Sequence, residues 1–221
     1  CVCLLYVVIL LKYSHCTVFF FLMIRLPPRS TQSRSSAASD VYKRQAYTQL
    51  SLWQVYNTEF SSPFRETNYE PELLLTYPTN IDLLGLQSRF IQVGINHQSN
   101  GRGEPLSRSW NRVTANFGFE RNAFNLVLKT WARIPEKESQ DDNPDITSYL
   151  GYGEIWAGTI WGNYHLGLMF RNNLRFDENR SALQCEVSFP LLEHLNGYIQ
   201  YFAGYGAVSY THLTLPTIYS V

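Results

Sequence analysis

The sequence predicts an all-β fold, an antiparallel transmembrane β-barrel, and three observations carry that prediction. From Ala46 to Gly206 successive segments alternate apolar and polar residues, and little of the chain has helical spacing. The segments are long, close to the ~9–11 residues that a tilted strand needs to cross a bilayer and beyond the ~5–6 of an ordinary soluble strand. Long polar connections alternate with short turns, which puts all the long ones at one end of a barrel and the turns at the other.

Nine strands follow in order: 46–57, 68–79, 86–100, 109–121, 123–134, 148–160, 163–173, 181–191 and 196–206. In 86–100 one face carries Ile91, Val93, Ile95, His97 and Ser99, the other Gln92, Gly94 and Asn96. In 109–121 Asn111, Val113, Ala115, Phe117 and Phe119 oppose Arg112, Thr114 and Asn116. The strand 123–134 sets Phe124, Leu126, Leu128, Thr130, Ala132 and Ile134 against Asn125, Val127, Lys129, Trp131 and Arg133, and 181–191 sets Leu183, Cys185, Val187 and Phe189 against Gln184, Glu186 and Ser188. The long connections are 58–67, 101–108, 135–147 and 174–180; the short turns lie near 80–85, 121–122, 161–162 and 192–195. Bacterial single-chain barrels usually have an even number of strands, and an open edge in a bilayer leaves backbone groups unpaired, so about nine strands make a partial barrel.

Composition narrows the function classes. The chain of 221 residues balances 18 basic against 18 acidic side chains, which argues against a nucleic-acid binder with its basic patch or stripe. Fifteen Tyr and five Trp are many for this length; membrane barrels use such rings as girdles at both interfaces, and a β-rich soluble domain can also carry them. Residues 1–45 are expected to be foreign to the rest: their two apolar runs fall short of the ~20 residues of a spanning helix, and 19–45 resembles translated sequencing-adapter DNA. The tail 207–221 has the same character, which leaves 46–206 as the domain. Three of the four cysteines fall in 1–45, so Cys185 has no partner for an internal disulfide or a multi-cysteine metal site.

The chemistry-bearing stretch is His97-Gln98-Ser99-Asn100-Gly101-Arg102-Gly103-Glu104-Pro105-Leu106-Ser107-Arg108-Ser109-Trp110-Asn111. A base and a nucleophile two residues apart on a strand share a face, and the next strand brings Asn111 up to the imidazole. That face is the apolar one. In a soluble protein it would be core, out of reach of substrate; in a barrel it faces lipid, where a nucleophile at the rim meets membrane phospholipid. The Gly-x-Ser-x-Gly elbow is absent. A His-x-Ser pair alone is more often a polar rim than a site.

Four blocks then carry a family resemblance: Tyr47-Thr48-Gln49; Ser61-Ser62-Pro63-Phe64-Arg65-Glu66-Thr67-Asn68-Tyr69-Glu70-Pro71; 96–112; and Asp141-Asp142-Asn143-Pro144-Asp145-Ile146-Thr147. On these the chain resembles the outer membrane phospholipase A family, twelve-stranded barrels of the bacterial outer membrane. The resemblance implies Ser99 as nucleophile, His97 as general base, Asn111 as the residue that orients the imidazole, and the Gly101 N–H as oxyanion donor. It implies calcium (Ca2+) held by Ser107 and the Arg102 backbone of one subunit and Ser61 of another, and a homodimer with Gln49 in its interface. It also implies hydrolysis of phospholipids and lysophospholipids at the outer-leaflet side of the membrane.

Gln98 stands where the family has an acidic residue; it points to the lumen and is expected to matter little. The acidic run 141–145 lacks the glycine of an EF-hand, since Ile146 takes that place, and reads as a solvated turn. Two alternatives stand beside the phospholipase: a non-catalytic barrel, porin or structural, in which Ser99→Ala changes nothing, and a soluble β protein that binds no lipid.

Overall fold

Strict alternation makes a sheet with two unlike faces, and whichever face is apolar must find lipid or core. A computed structural model shows where each face goes; it describes residues 2–13, 16–23, 41–53, 64–103, 106–137, 141, 143–192 and 195–205. Among the described residues twelve strands and one short helix occur in the order β1 (Val2–Tyr13), β2 (Cys16–Met23), β3 (Tyr42–Trp53), β4 (Phe64–Pro78), β5 (Asp82–Leu83), β6 (Leu86–Ser99), β7 (Ser109–Arg121), β8 (Phe124–Arg133), α1 (Ile146–Leu150), β9 (Gly153–Trp161), β10 (Tyr164–Asn172), β11 (Ser181–Leu192) and β12 (Leu195–Gly204).

All nine strands read from the sequence occur. The first two begin earlier than read, at Tyr42 and Phe64, and β1, β2 and the two-residue β5 are additional; 54–57, read as the end of the first, lie outside the described residues. The remaining difference lies at 146–150, read in part as strand and found as α1. Ile146 and Leu150 bury themselves with Trp110 and Trp131 there, and Gly151, at a φ of 64°, stops the helix.

The strands form one sheet in the order β4-β3-β1-β2-β12-β11-β10-β9-β8-β7-β6-β5, and β6 also pairs with β4, so the pairings return on themselves as a barrel. Setting β5 aside as an extension of the β5–β6 hairpin, the ring has an odd number of members. An odd ring cannot be antiparallel throughout. Its one parallel neighbour pair among the described residues is β1 with β3, from Val2↔Ala46 to Ile9↔Trp53. Among the described residues no helix is long and apolar enough to cross a membrane.

The faces sort as a membrane barrel requires. Outward lie Leu73, Leu75 and Tyr77 on β4, Ile91, Val93 and Ile95 on β6, Val113 on β7 and Leu168 and Phe170 on β10, all exposed. Inward lie the buried Asn68, Thr76, Ser88, Asn96, Thr114 and Gln184. Two ion-paired clusters lie inside. Arg112 pairs with Glu70 and donates from Nε to Asn96 Oδ1 at 2.7 Å, and Asn96 Nδ2 donates to Glu70 at 2.9 Å. Glu154 takes Lys129 at 3.3 Å, Arg171 at 3.5 Å and the Trp156 indole N–H at 2.8 Å. Buried ions are tolerated when paired and hydrogen-bonded in this way.

In the long connection after β8, Asp141 and Asn143 are held against the barrel rim. Asp141 accepts from Arg133 and from the Asn143 backbone N–H at 2.9 Å, and the buried Asn143 side chain donates to Ser109 O at 2.8 Å. The solvated-turn reading of 141–145 is therefore corrected for Asp141 and Asn143, whose polar groups anchor the start of α1 to the rim of β7 and β8; Pro144 and Asp145 are exposed in a turn, and Asp142 lies outside the described residues. Burial works against the Asp141 carboxylate, but the Arg133 guanidinium and the Asn143 N–H outweigh it and hold its carboxyl below the usual range.

Candidate active site on the outer rim

The β6–β7 register places His97 directly across from Asn111 and Ser99 across from Ser109. His97 is exposed on the outer face, and its Nδ1 lies 2.8 Å from Asn111 Oδ1. An amide oxygen accepts only, so this contact puts the imidazole proton on Nδ1 and leaves Nε2 as the basic nitrogen. Ser99 sits on the same face, two residues on, and its Oγ accepts the Gly101 backbone N–H at 3.1 Å. A backbone donor is thus already aimed at the place where a serine nucleophile would react.

Gly101 has a φ of +67°, a conformation costly for any residue with a Cβ. A Cβ there would also come within 3.0 Å of the Tyr69 ring. Tyr69 is the β4 partner of Ser99, and Gln49 is the β3 partner of Tyr69, so Gln49, Tyr69 and Ser99 form one cross-strand row. Gln49 accepts from the Tyr47 hydroxyl at 3.2 Å.

The loop beyond Gly101 is held by one buried side chain. Asn100 Oδ1 accepts the backbone N–H of Arg102 at 3.3 Å and of Arg108 at 3.0 Å; its Nδ2 donates to Leu106 O at 2.8 Å; its own N–H donates to Arg108 O at 3.0 Å. The same staple recurs at Asn173, whose Oδ1 accepts the N–H of Arg175 at 3.2 Å and of Arg180 at 3.0 Å. Arg102 and Ser107, read as cation ligands, lie within the stapled loop; Ser61 lies outside the described residues. A main-chain carbonyl at Arg102 and a hydroxyl at Ser107 are hard oxygen donors, the chemistry calcium selects. Among the described residues no group of three or more His, Cys, Asp or Glu could hold a metal.

Three neighbours were not legible in the sequence. Asn111 Nδ2 donates to Glu136 Oε1 at 2.7 Å. Tyr69 reaches the rim only through the β4–β6 pairing. Gln98, read as unimportant, does face inward, where its Oε1 accepts the N–H of the fully buried Trp110 at 2.8 Å and ties β6 to β7 beneath the site.

An apolar exterior, a polar ion-paired interior and a ring of long strands define an outer-membrane β-barrel. The chain also matches a known family, Phospholipase A1, over residues 31–212. It is 40% identical over 164 residues to "Phospholipase A1" of Escherichia coli strain K12, covering 73% of this chain and 54% of that protein. It is 37% identical to the Proteus vulgaris "Phospholipase A1" over the same shares. Among solved structures it superposes on outer membrane phospholipase A from Escherichia coli with a TM-score of 0.66 and 28% identity, covering 86% of this chain and 77% of that one. It also superposes on the Salmonella typhi outer membrane phospholipase dimer with bound calcium, with a TM-score of 0.65, 28% identity and coverage of 86% and 78%. The chain belongs to the phospholipase A1 family. It spans about half the length of the curated relatives it matches.

Proposed function

We propose that this barrel is a calcium-dependent outer-membrane phospholipase that hydrolyses acyl esters of phospholipids and lysophospholipids from its lipid-facing rim, working as a homodimer. The observation that carries the reading is the His97 Nδ1–Asn111 Oδ1 contact of 2.8 Å on an exposed apolar face beside Ser99. Family membership supports the chemistry, and a related protein described as a dimer with bound calcium supports the cofactor and the assembly.

In this reading Ser99 Oγ attacks the ester carbonyl carbon as its proton passes to His97 Nε2. The developing oxyanion takes the Gly101 N–H, the donor that lies 3.1 Å from Oγ. The carbon–oxygen bond to the glycerol breaks as Nε2 returns the proton to the leaving alcohol, and water then releases the acyl group by the same exchange. Asn111 holds the imidazole and disperses the charge of the imidazolium less than a carboxylate would. Ser107, the Arg102 carbonyl and Ser61 of a second subunit would hold calcium, which when bound adds positive charge beside the oxyanion. Gln49, in the same row as Tyr69 and Ser99, belongs to the face that a second subunit covers. We further take 46–206 as the phospholipase domain and 1–45 and 207–221 as foreign to it; the parallel β1–β3 pairing sets β1 apart from an otherwise antiparallel ring, and sequencing the source gene tests the division.

A non-catalytic barrel is disfavoured by the place of His97 and Ser99 on the outer, apolar face, where residues serving a pore would instead line the lumen. The test is acyl release from phospholipid in mixed micelles by protein refolded in detergent, with calcium, with chelator, and as Ser99→Ala. Calcium-dependent release that Ser99→Ala abolishes supports the proposal; equal release by folded wild type and Ser99→Ala overturns it.

A further inference from the structure

Asn111 is gripped from the segment that follows β8. Its backbone carbonyl accepts the Ile134 N–H at 2.8 Å, and its side-chain Nδ2 donates to Glu136 Oε1 at 2.7 Å. Between those two residues stands Pro135, whose ring fixes φ and leaves the segment little freedom. Glu136 is partly buried.

We propose that Glu136 is a positioning residue that sets the orientation of the Asn111 amide and, through it, the tautomer and charge tolerance of His97; the inference rests on the reading of Ser99, His97 and Asn111 as the reacting constellation. An amide side chain has an acceptor end and a donor end of nearly equal shape, and a histidine Nδ1 meets either. If the NH2 end faced the ring, Nδ1 would have to accept. The ring proton would then sit on Nε2, the nitrogen that must take the serine proton. An ionised carboxylate removes that choice, because it only accepts: Nδ2 must turn to Glu136, and Oδ1 must turn to His97. The same carboxylate polarises the amide, makes Oδ1 a better acceptor and places a negative charge behind the imidazolium that forms during the reaction. A neutral asparagine is thereby given part of the electrostatic effect that an aspartate would supply directly.

The test compares Glu136→Gln, Glu136→Ala, Asn111→Asp and the Asn111→Asp/Glu136→Gln pair in phospholipid hydrolysis, with Ser99→Ala as the reference for lost chemistry. Heat-modifiable gel mobility confirms that each variant is folded. Glu136→Ala is expected to lower kcat roughly tenfold with KM unchanged, and Glu136→Gln to fall between it and the wild type, since its carbonyl still accepts but its amide can turn over. Asn111→Asp sets two carboxylates against each other and is expected to be slow. Removing the clash with Glu136→Gln is expected to raise its kcat roughly tenfold, a reversal that a purely structural role would not produce. Folded Glu136→Ala and Glu136→Gln with wild-type kcat, or a pair no faster than Asn111→Asp, would overturn the inference while Ser99→Ala still marks the nucleophile. Activity in Ser99→Ala equal to wild type would instead remove the reading beneath it, and the inference with it.

Discussion

His97 and Asn111 are direct cross-strand partners in β6 and β7, and their side chains meet at 2.8 Å on the face turned away from the lumen. A sheet fixes such a pair by register: a slip of one residue in β6 against β7 would turn the imidazole into the lumen. Gln98 and Trp110, bonded on the opposite face, hold that register. Gln98→Ala should therefore cost more activity than stability of the whole barrel, and acyl release measured beside thermal loss of heat-modifiable mobility separates the two. Parallel losses in both would contradict the register account.

The positive φ of Gly101 and the Tyr69 ring beside it make a second prediction. Gly101→Ala should reduce kcat at least ~100-fold by displacing the N–H that faces Ser99. Tyr69→Ala in the same chain removes the collision but not the backbone cost, so rescue should be incomplete. Kinetics of the single and double variants check it, and complete rescue would show that crowding alone matters.

Asn100 carries the loop that holds Arg102 and Ser107. Asn100→Ala releases two N–H groups and a carbonyl and should raise the calcium concentration for half-maximal activity about tenfold or more, while saturating calcium restores much of kcat. Calcium titrations of activity read both. Asn173→Ala breaks the equivalent staple on another loop and should leave the calcium requirement unchanged.

A pH dependence follows from Asp141. Its carboxyl is held below the ordinary aspartate value, near 3.9, so the stability it contributes is fully present above that value. It is lost as the pH falls through the folded-state value. Amides of α1 should lose hydrogen-exchange protection over that acid range in the wild type, and Asp141→Asn should show the lower protection already at neutral pH. Identical profiles for the two proteins would contradict the anchoring role.

Much of the frame was legible because period-two alternation is a local property: it places nine strands and assigns Ile91, Val93 and Ile95 to one face and Asn96 to the other. The His97–Asn111 pairing was legible for the same reason, since one hairpin joins the two strands. What was not legible depends on contacts between separated segments. Tyr69 reaches Ser99 only once β4 closes on β6, and Glu136 reaches Asn111 only after β8 returns to the same rim. The acidic run 141–145 read as solvated because nothing local announces Arg133 or Ser109 as its partners. α1 hides for a similar reason: Ile146 and Leu150 stand one helical turn apart, but a single such pair is too short a pattern to read, and their burial answers to Trp110 and Trp131.

The most direct test of the central claim is covalent labelling of refolded protein in detergent with a long-chain sulfonyl fluoride, in calcium, followed by mass mapping of the labelled peptide. The account predicts a single modification on Ser99, made slower by roughly 1000-fold or more in His97→Ala. Label on another residue, or equal labelling of Ser99 in wild type and His97→Ala, would contradict it.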